Sequence, residues 1–149
     1  MLALALACTS ATAQQNPLAR PAAPSAASLN GRWNGVNLER RSACTNPANE
    51  GNRGTYAQFD IATDPGGGLS IQQSGITGLN CTYTARYQAI GARFDFHGSY
   101  ACSDGKQGTI TSGQATLHPP SLDLRMAIQL TGGETCTIDS LLGLARFPQ

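Results

Sequence analysis

The chain has 149 residues, 13% of them charged, with 17 glycines, 8 prolines, 5 cysteines and a formal net charge of +1. That length suffices for one domain with a core of its own. A near-neutral chain with no basic cluster excludes partners held by dense positive charge, so neither nucleic acid nor an anionic membrane surface is expected.

In chain order, residues 1–13 resemble the end of a secretory signal: a short apolar run, Met1 to Ala7, then a small-x-small pattern ending at Ala13, with no basic n-region. The run is far too short for a transmembrane span. A rival reading makes Cys8 the acylated cysteine of a bacterial lipoprotein, although Leu6 before Ala7 fits that motif poorly. Residues 14–28, rich in Ala, Pro and Ser, read as a disordered linker. The domain then occupies 29–149.

The first strand runs from Gly31 towards Cys44, and residues 45–54 form a long polar loop. Thr55 to Ala62 alternates Ala57, Phe59 and Ile61 with polar residues, and Leu69 to Gln73 alternates again. Pro65-Gly66-Gly67-Gly68 between them is a hairpin tip. A phosphate-binding loop of that composition needs a helix after it, and none follows.

Strands four and five, Cys81 to Ile90 and Arg93 to Cys102, close about Gly91-Ala92. A Gly first in a two-residue loop suits a type II′ turn. The register then sets Ala89 opposite Phe94, Tyr87 opposite Phe96, Ala85 opposite Gly98, Tyr83 opposite Tyr100 and Cys81 opposite Cys102. Counted from the turn, the cysteines occupy a non-hydrogen-bonded pair, where facing side chains come closest, so a Cys81–Cys102 disulfide is expected. Strand six spans Thr109 to His118, with Gly113 marking a bulge. Strand seven, from Leu122, alternates Leu124, Met126, Ile128 and Leu130 with polar residues, and strand eight runs from about Thr135 to Phe147.

Eight antiparallel strands in sequence can form a sandwich or close into an up-and-down barrel, which removes exposed edges. The cysteines decide for the eight-stranded all-β barrel. Beyond Cys8, an even set remains, Cys44, Cys81, Cys102 and Cys136, and in a meander all four fall at one end of the sheet. Strands one and eight meet only on closure, so a Cys44–Cys136 disulfide would staple the seam. The same pairing brings Trp33 beside Arg146, about one residue out of register, where a guanidinium over an indole would plug the opposite end.

Gly31-x-Trp33 opening the first strand, with Arg146 near the end of the last, resembles the signature of the calycin superfamily, the lipocalins and avidins. The resemblance implies the barrel and the Trp33–Arg146 plug. The single Trp does not match the several with which avidins hold biotin.

No catalytic constellation is evident, so the chain reads as non-enzymatic, without cofactor or metal. His97 falls on the outer face opposite Arg86, His118 lies in a turn before Pro119-Pro120, and the carboxylates, Glu39 included, are scattered over outward or turn positions. No Cys-x-x-Cys or Cys/His spacing suggests zinc. The tentative ligand-binding set is the inward Tyr83, Tyr87, Phe96 and Tyr100 with Gln73, whose buried polar groups need partners. The expected function is a secreted or periplasmic binding protein of inhibitor or accessory type, which presents the 45–54 loop to a protein or other macromolecular partner. The alternative is a calycin-like carrier of a small hydrophobic ligand.

Overall fold

The computed structural model of the chain describes residues 24–146. The signal-like opening, Cys8, the first part of the linker and the expected end of the last strand at Phe147 lie outside them. Eight strands follow a 3-10 turn at Ala26–Leu29: β1 (Gly31–Ser42), β2 (Gly51–Thr63), β3 (Gly68–Gly75), β4 (Asn80–Ile90), β5 (Arg93–Cys102), β6 (Gln107–His118), β7 (Ser121–Gly132) and β8 (Cys136–Ala145). Each pairs antiparallel with the next, and β8 pairs back onto β1, so the sheet is a closed up-and-down barrel.

The core follows from period-two alternation. Leu122, Leu124, Met126, Ile128 and Leu130 of β7 are buried, and Phe59, Ile71, Phe94, Phe96 and Leu142 meet them from other strands. The β4–β5 register is the one expected, pair for pair, from Ala89 against Phe94 to Cys81 against Cys102. Gly91 sits at φ +63 while Ala92 keeps a negative φ, as a type II′ turn requires. The Cys102 amide donates to Lys106 and not to Cys81, which marks the cysteine pair as non-hydrogen-bonded. Both disulfides, Cys81–Cys102 and Cys44–Cys136, are formed.

Four local expectations change. The loop after β1 is shorter than 45–54: Gly51 to Gly54 pair with Arg41 to Leu38 as strand, because closing the barrel continues that ladder. What remains carries a short 3-10 turn at Pro47–Asn49 and is tied to the β7–β8 turn. Thr45 N–H donates to the Thr135 carbonyl, and Asn49 Nδ2 donates to Glu134.

The β6 bulge falls at Thr111, which has no partner on either neighbour, and not at Gly113. Ile110 and Gly113 both face inward, three residues apart, so one extra residue is needed to keep the later apolar positions inside. Gly113 instead makes room for the Phe96 ring, which a Cβ there would overlap.

The one-residue offset of the seam lies at the cysteine end. Asn34 faces Ala145 and Ser42 faces Thr137, a register that carries Trp33 directly opposite Arg146. The guanidinium lies 4.4 Å from the Trp33 ring and donates to the Ser28 and Asn30 carbonyls. Ala43, at φ +52, absorbs the offset before Cys44.

The last three residues of the expected linker also carry structure. Ala26–Leu29 is a 3-10 turn with Leu29 buried, and Trp33 Nε1 donates to the Leu29 carbonyl over 2.8 Å. The indole needs a partner for its buried N–H, and this turn supplies it.

Candidate functional site

The chemistry-bearing side chains gather inside the barrel at its disulfide end. Strand β1 sets the arrangement. With Trp33 facing in, period two carries Asn37, Glu39 and Arg41 inward as well. Arg41 donates from Nε (3.1 Å) and Nη2 (2.8 Å) to Glu39 Oε2, and Asn37 Nδ2 donates to Glu39 Oε1 over 3.0 Å. Ser140, opposite Glu39 across the seam, donates its hydroxyl to Asn37 Oδ1 over 2.6 Å. The ion pair is inside but not sealed: 9% of the Arg41 side chain and 17% of the Glu39 side chain are exposed.

Three of the five expected ligand-binding residues join this group. The Tyr83 hydroxyl donates to Gln73 Oε1 over 2.5 Å, and the Tyr83 and Tyr100 rings are tilted with centroids 5.0 Å apart. Tyr100 places its hydroxyl 2.7 Å from Cys102 Sγ and 3.6 Å from Cys81 Sγ, where only the hydroxyl can donate. The other two lie elsewhere. Tyr87 is half-buried, and its hydroxyl donates to the Asp64 carbonyl in the β2–β3 turn at the plug end. Phe96 packs on Gly113 in the apolar middle of the barrel.

Electrostatics bind the group together. Burial pushes the Tyr83 hydroxyl well above the usual tyrosine range, and Tyr100 and the Glu39 carboxylate add to the effect. Burial likewise raises Tyr100, with Glu39 adding and Arg41 opposing. Neither can serve as a base at neutral pH; each is a fixed hydrogen-bond donor. Among the described residues no fully buried side-chain nitrogen or oxygen lacks a hydrogen-bond partner.

Glu39, placed outward or in a turn by the sequence reading, is the centre of this network, and Asn37, Arg41 and Ser140 were not singled out at all. The signal was present: they share the parity of Trp33 on β1 and of Leu142 on β8. Four polar residues in core positions read as an outer face until closure shows which side is inside.

The remaining expected positions are as follows. His97 is exposed on the outer wall opposite Arg86, and His118 ends β6 exposed. A carboxylate oxygen of Glu134 lies within 4.8 Å of the Cys44 and Cys136 sulfurs, but both sulfurs are in a disulfide and unavailable as thiolates.

No family model matches the chain, and no curated protein matches it. Among solved structures it is similar to a protein of unknown function from the DUF3598 family of Nostoc punctiforme, at 15% identity and a TM-score of 0.40. The match covers 80% of this chain and 48% of that one, so the chain spans about half the length of the structure it resembles. No helix among the described residues is long and apolar enough to cross a membrane.

Proposed function

We propose that this chain is an exported, non-enzymatic binding protein, a calycin-like barrel that recognises a macromolecular partner with its outside. The observation that carries the reading is the self-satisfied interior. Asn37, Glu39, Arg41 and Ser140 bond one another, Tyr83 bonds Gln73, Tyr100 bonds the disulfide sulfurs, and among the described residues no fully buried side-chain polar atom is left unpaired, which leaves recognition to the loops and wall. Two disulfides suit an oxidising, extracytoplasmic compartment.

The contact is the segment from Thr45 to Glu50, held rigidly by Cys44–Cys136 and by its hydrogen bonds to Glu134 and Thr135. A loop fixed on a stiff scaffold loses little freedom on binding. Affinity capture from the producing cell's envelope fraction tests this. Replacing Pro47-Ala48-Asn49 by Gly-Ser-Gly, which also releases the bond to Glu134, should abolish capture while the barrel still unfolds in one cooperative transition. Undiminished capture would sink the loop reading.

A second reading, a carrier of a small hydrophobic ligand, is favoured by the convergence of Gln73, Tyr83, Tyr100 and Arg41 near one mouth. A ligand bound there at a hundredfold its Kd would stabilise the fold by about 2.7 kcal/mol. A thermal-shift screen with fatty acids and aromatic ligands reads this directly, and no shift at any ligand would remove the carrier.

A further inference from the structure

On the outside of the barrel a trough of about 950 Å³ crosses the wall from β4 to β8. The β6 bulge gives it a low floor. Thr111 is the extra residue, so Thr111 and Ser112 both face outward, and Ala127 of β7 lies beside Ser112. Long side chains stand around these small ones. Arg86 of β4 and His97 of β5 are cross-strand neighbours at one end, and Arg125 and Asp139 rise from β7 and β8 at the other.

The trough carries uncompensated positive charge. Arg86 and Arg125 are exposed, and neither has an ion-pair partner among the described residues. Its two carboxylates are offset from outside it: Arg93 pairs with Asp95 over 3.1 Å, and Arg40 faces Asp139 across the seam. The amides of Gln88 and Gln114 and the hydroxyls of Thr111 and Ser112 complete the lining. The two arginines are three strand spacings apart, about 14 Å of wall, so a single small anion cannot engage both.

We infer that this trough binds a linear glycan that carries carboxylates, laid across the strands with one carboxylate at Arg86 and His97 and another at Arg125. A site on the wall goes beyond the loop-mediated recognition proposed above and does not depend on it. A guanidinium fork matches a carboxylate two hydrogen bonds at a time. Amides and hydroxyls offer donors and acceptors together, which suits rows of sugar hydroxyls that do the same.

Other anionic chains fit less well. Among the described residues the closed barrel has no free strand edge for main-chain pairing with an acidic peptide, and the trough floor is two hydroxyls and a methyl group, with no recess for an anchor side chain. Nor does any described aromatic ring stand exposed in the trough for a nucleobase to stack on, since Phe96 is buried and Tyr87 turns its hydroxyl to the Asp64 carbonyl. A neutral glycan lacks a ring face to lie on for the same reason. The carboxylates therefore carry the affinity.

Isothermal titration of the full chain with a hexamer of galacturonic acid tests the inference, with the methyl-esterified hexamer and hexaglutamate as comparison ligands. The expected Kd for the acid is between about 10 µM and 1 mM and rises with salt, and the ester should bind at least about tenfold more weakly. Arg86→Gln and Arg125→Gln should each raise the Kd about fivefold or more, whereas Arg32→Gln, outside the trough, should leave it unchanged. Ser112→Leu raises the floor without touching a charge and should weaken binding to a similar degree. The Gly-Ser-Gly loop variant should bind the hexamer as the parent does, so the loop and the trough stand or fall separately. No binding at about 5 mM hexamer, equal binding of acid and ester, or hexaglutamate bound as tightly as the acid would overturn the proposal. So would a Kd indifferent to Arg86→Gln, Arg125→Gln or Ser112→Leu, or one lost in the loop variant. The substituted side chains are all exposed, and unchanged melting curves of the point variants identify weaker binding as loss of contact.

Discussion

The buried ion pair offers the sharpest quantitative expectation. Replacing Glu39 by Gln keeps the volume and an acceptor for Asn37 Nδ2, but leaves the Arg41 guanidinium, 9% exposed, without its carboxylate. Breaking a buried pair from one side costs about 3 to 5 kcal/mol, and access to water at the mouth reduces this to about 2 to 3 kcal/mol. Arg41→Met should cost a similar amount, since the Glu39 carboxylate keeps only the Asn37 hydrogen bond. The double variant Glu39→Gln/Arg41→Met removes both charges together and should cost only about 1 kcal/mol. The coupling energy is thus about 3 to 5 kcal/mol, well above the additive limit of about 0.5 kcal/mol. Urea unfolding at neutral pH measures all four corners of the cycle. Each single variant should melt roughly 10 °C lower than the parent, and the double should recover most of that. Single losses that simply add in the double would refute the coupled network and place the two side chains in independent solvated positions.

The same network predicts alkaline behaviour. Tyr83 and Tyr100 have raised pKa values in the fold, so the folded state holds their protons above pH 10 while the unfolded chain releases them. Stability from these groups is full below about pH 10 and falls as pH rises beyond it; denaturant melts across that range should show the fall, and Tyr100→Phe should flatten it. For the disulfides, the chain-entropy relation with separations of 92 and 21 residues gives about 4.6 kcal/mol for Cys44–Cys136 and about 3.3 kcal/mol for Cys81–Cys102. Paired Cys→Ser variants compared by urea melts should keep that order, and a costlier loss at the hairpin would contradict the seam as the main staple. Arg146→Met should cost about 1 kcal/mol, because the exposed guanidinium gives up its contact with Trp33 and two carbonyl hydrogen bonds, and Arg146→Lys should recover only part of it. Gly113→Val drives a side chain into the Phe96 ring and should cost about 1 to 3 kcal/mol by thermal melt.

Local chemistry written along the chain determined much of this protein. Alternation in β4 and β5 and the Gly91-Ala92 turn were enough to place every pair of the β4–β5 hairpin, because side-chain period and turn type each fix register independently. The four cysteines at one end of a meander, with Trp33 and Arg146 at the other, were enough to close the sheet, since two distant cross-links agree only in a barrel.

What tertiary structure alone decided were the places where two strands had to be fitted to each other. The seam offset went to Ala43 and not to the plug, because a cation over an indole with two carbonyl bonds tolerates less displacement than a bend before a disulfide. The bulge went to Thr111 because Ile110 and Ala115 lie on the same side, a phase slip that becomes compulsory once β5 and β7 flank β6. The inward turn of Asn37, Glu39 and Arg41 is the deepest case. Polar side chains in a strand read as its wet face, and only closure around them, with Ser140 arriving from a strand 103 residues away, makes burial of that charge sustainable.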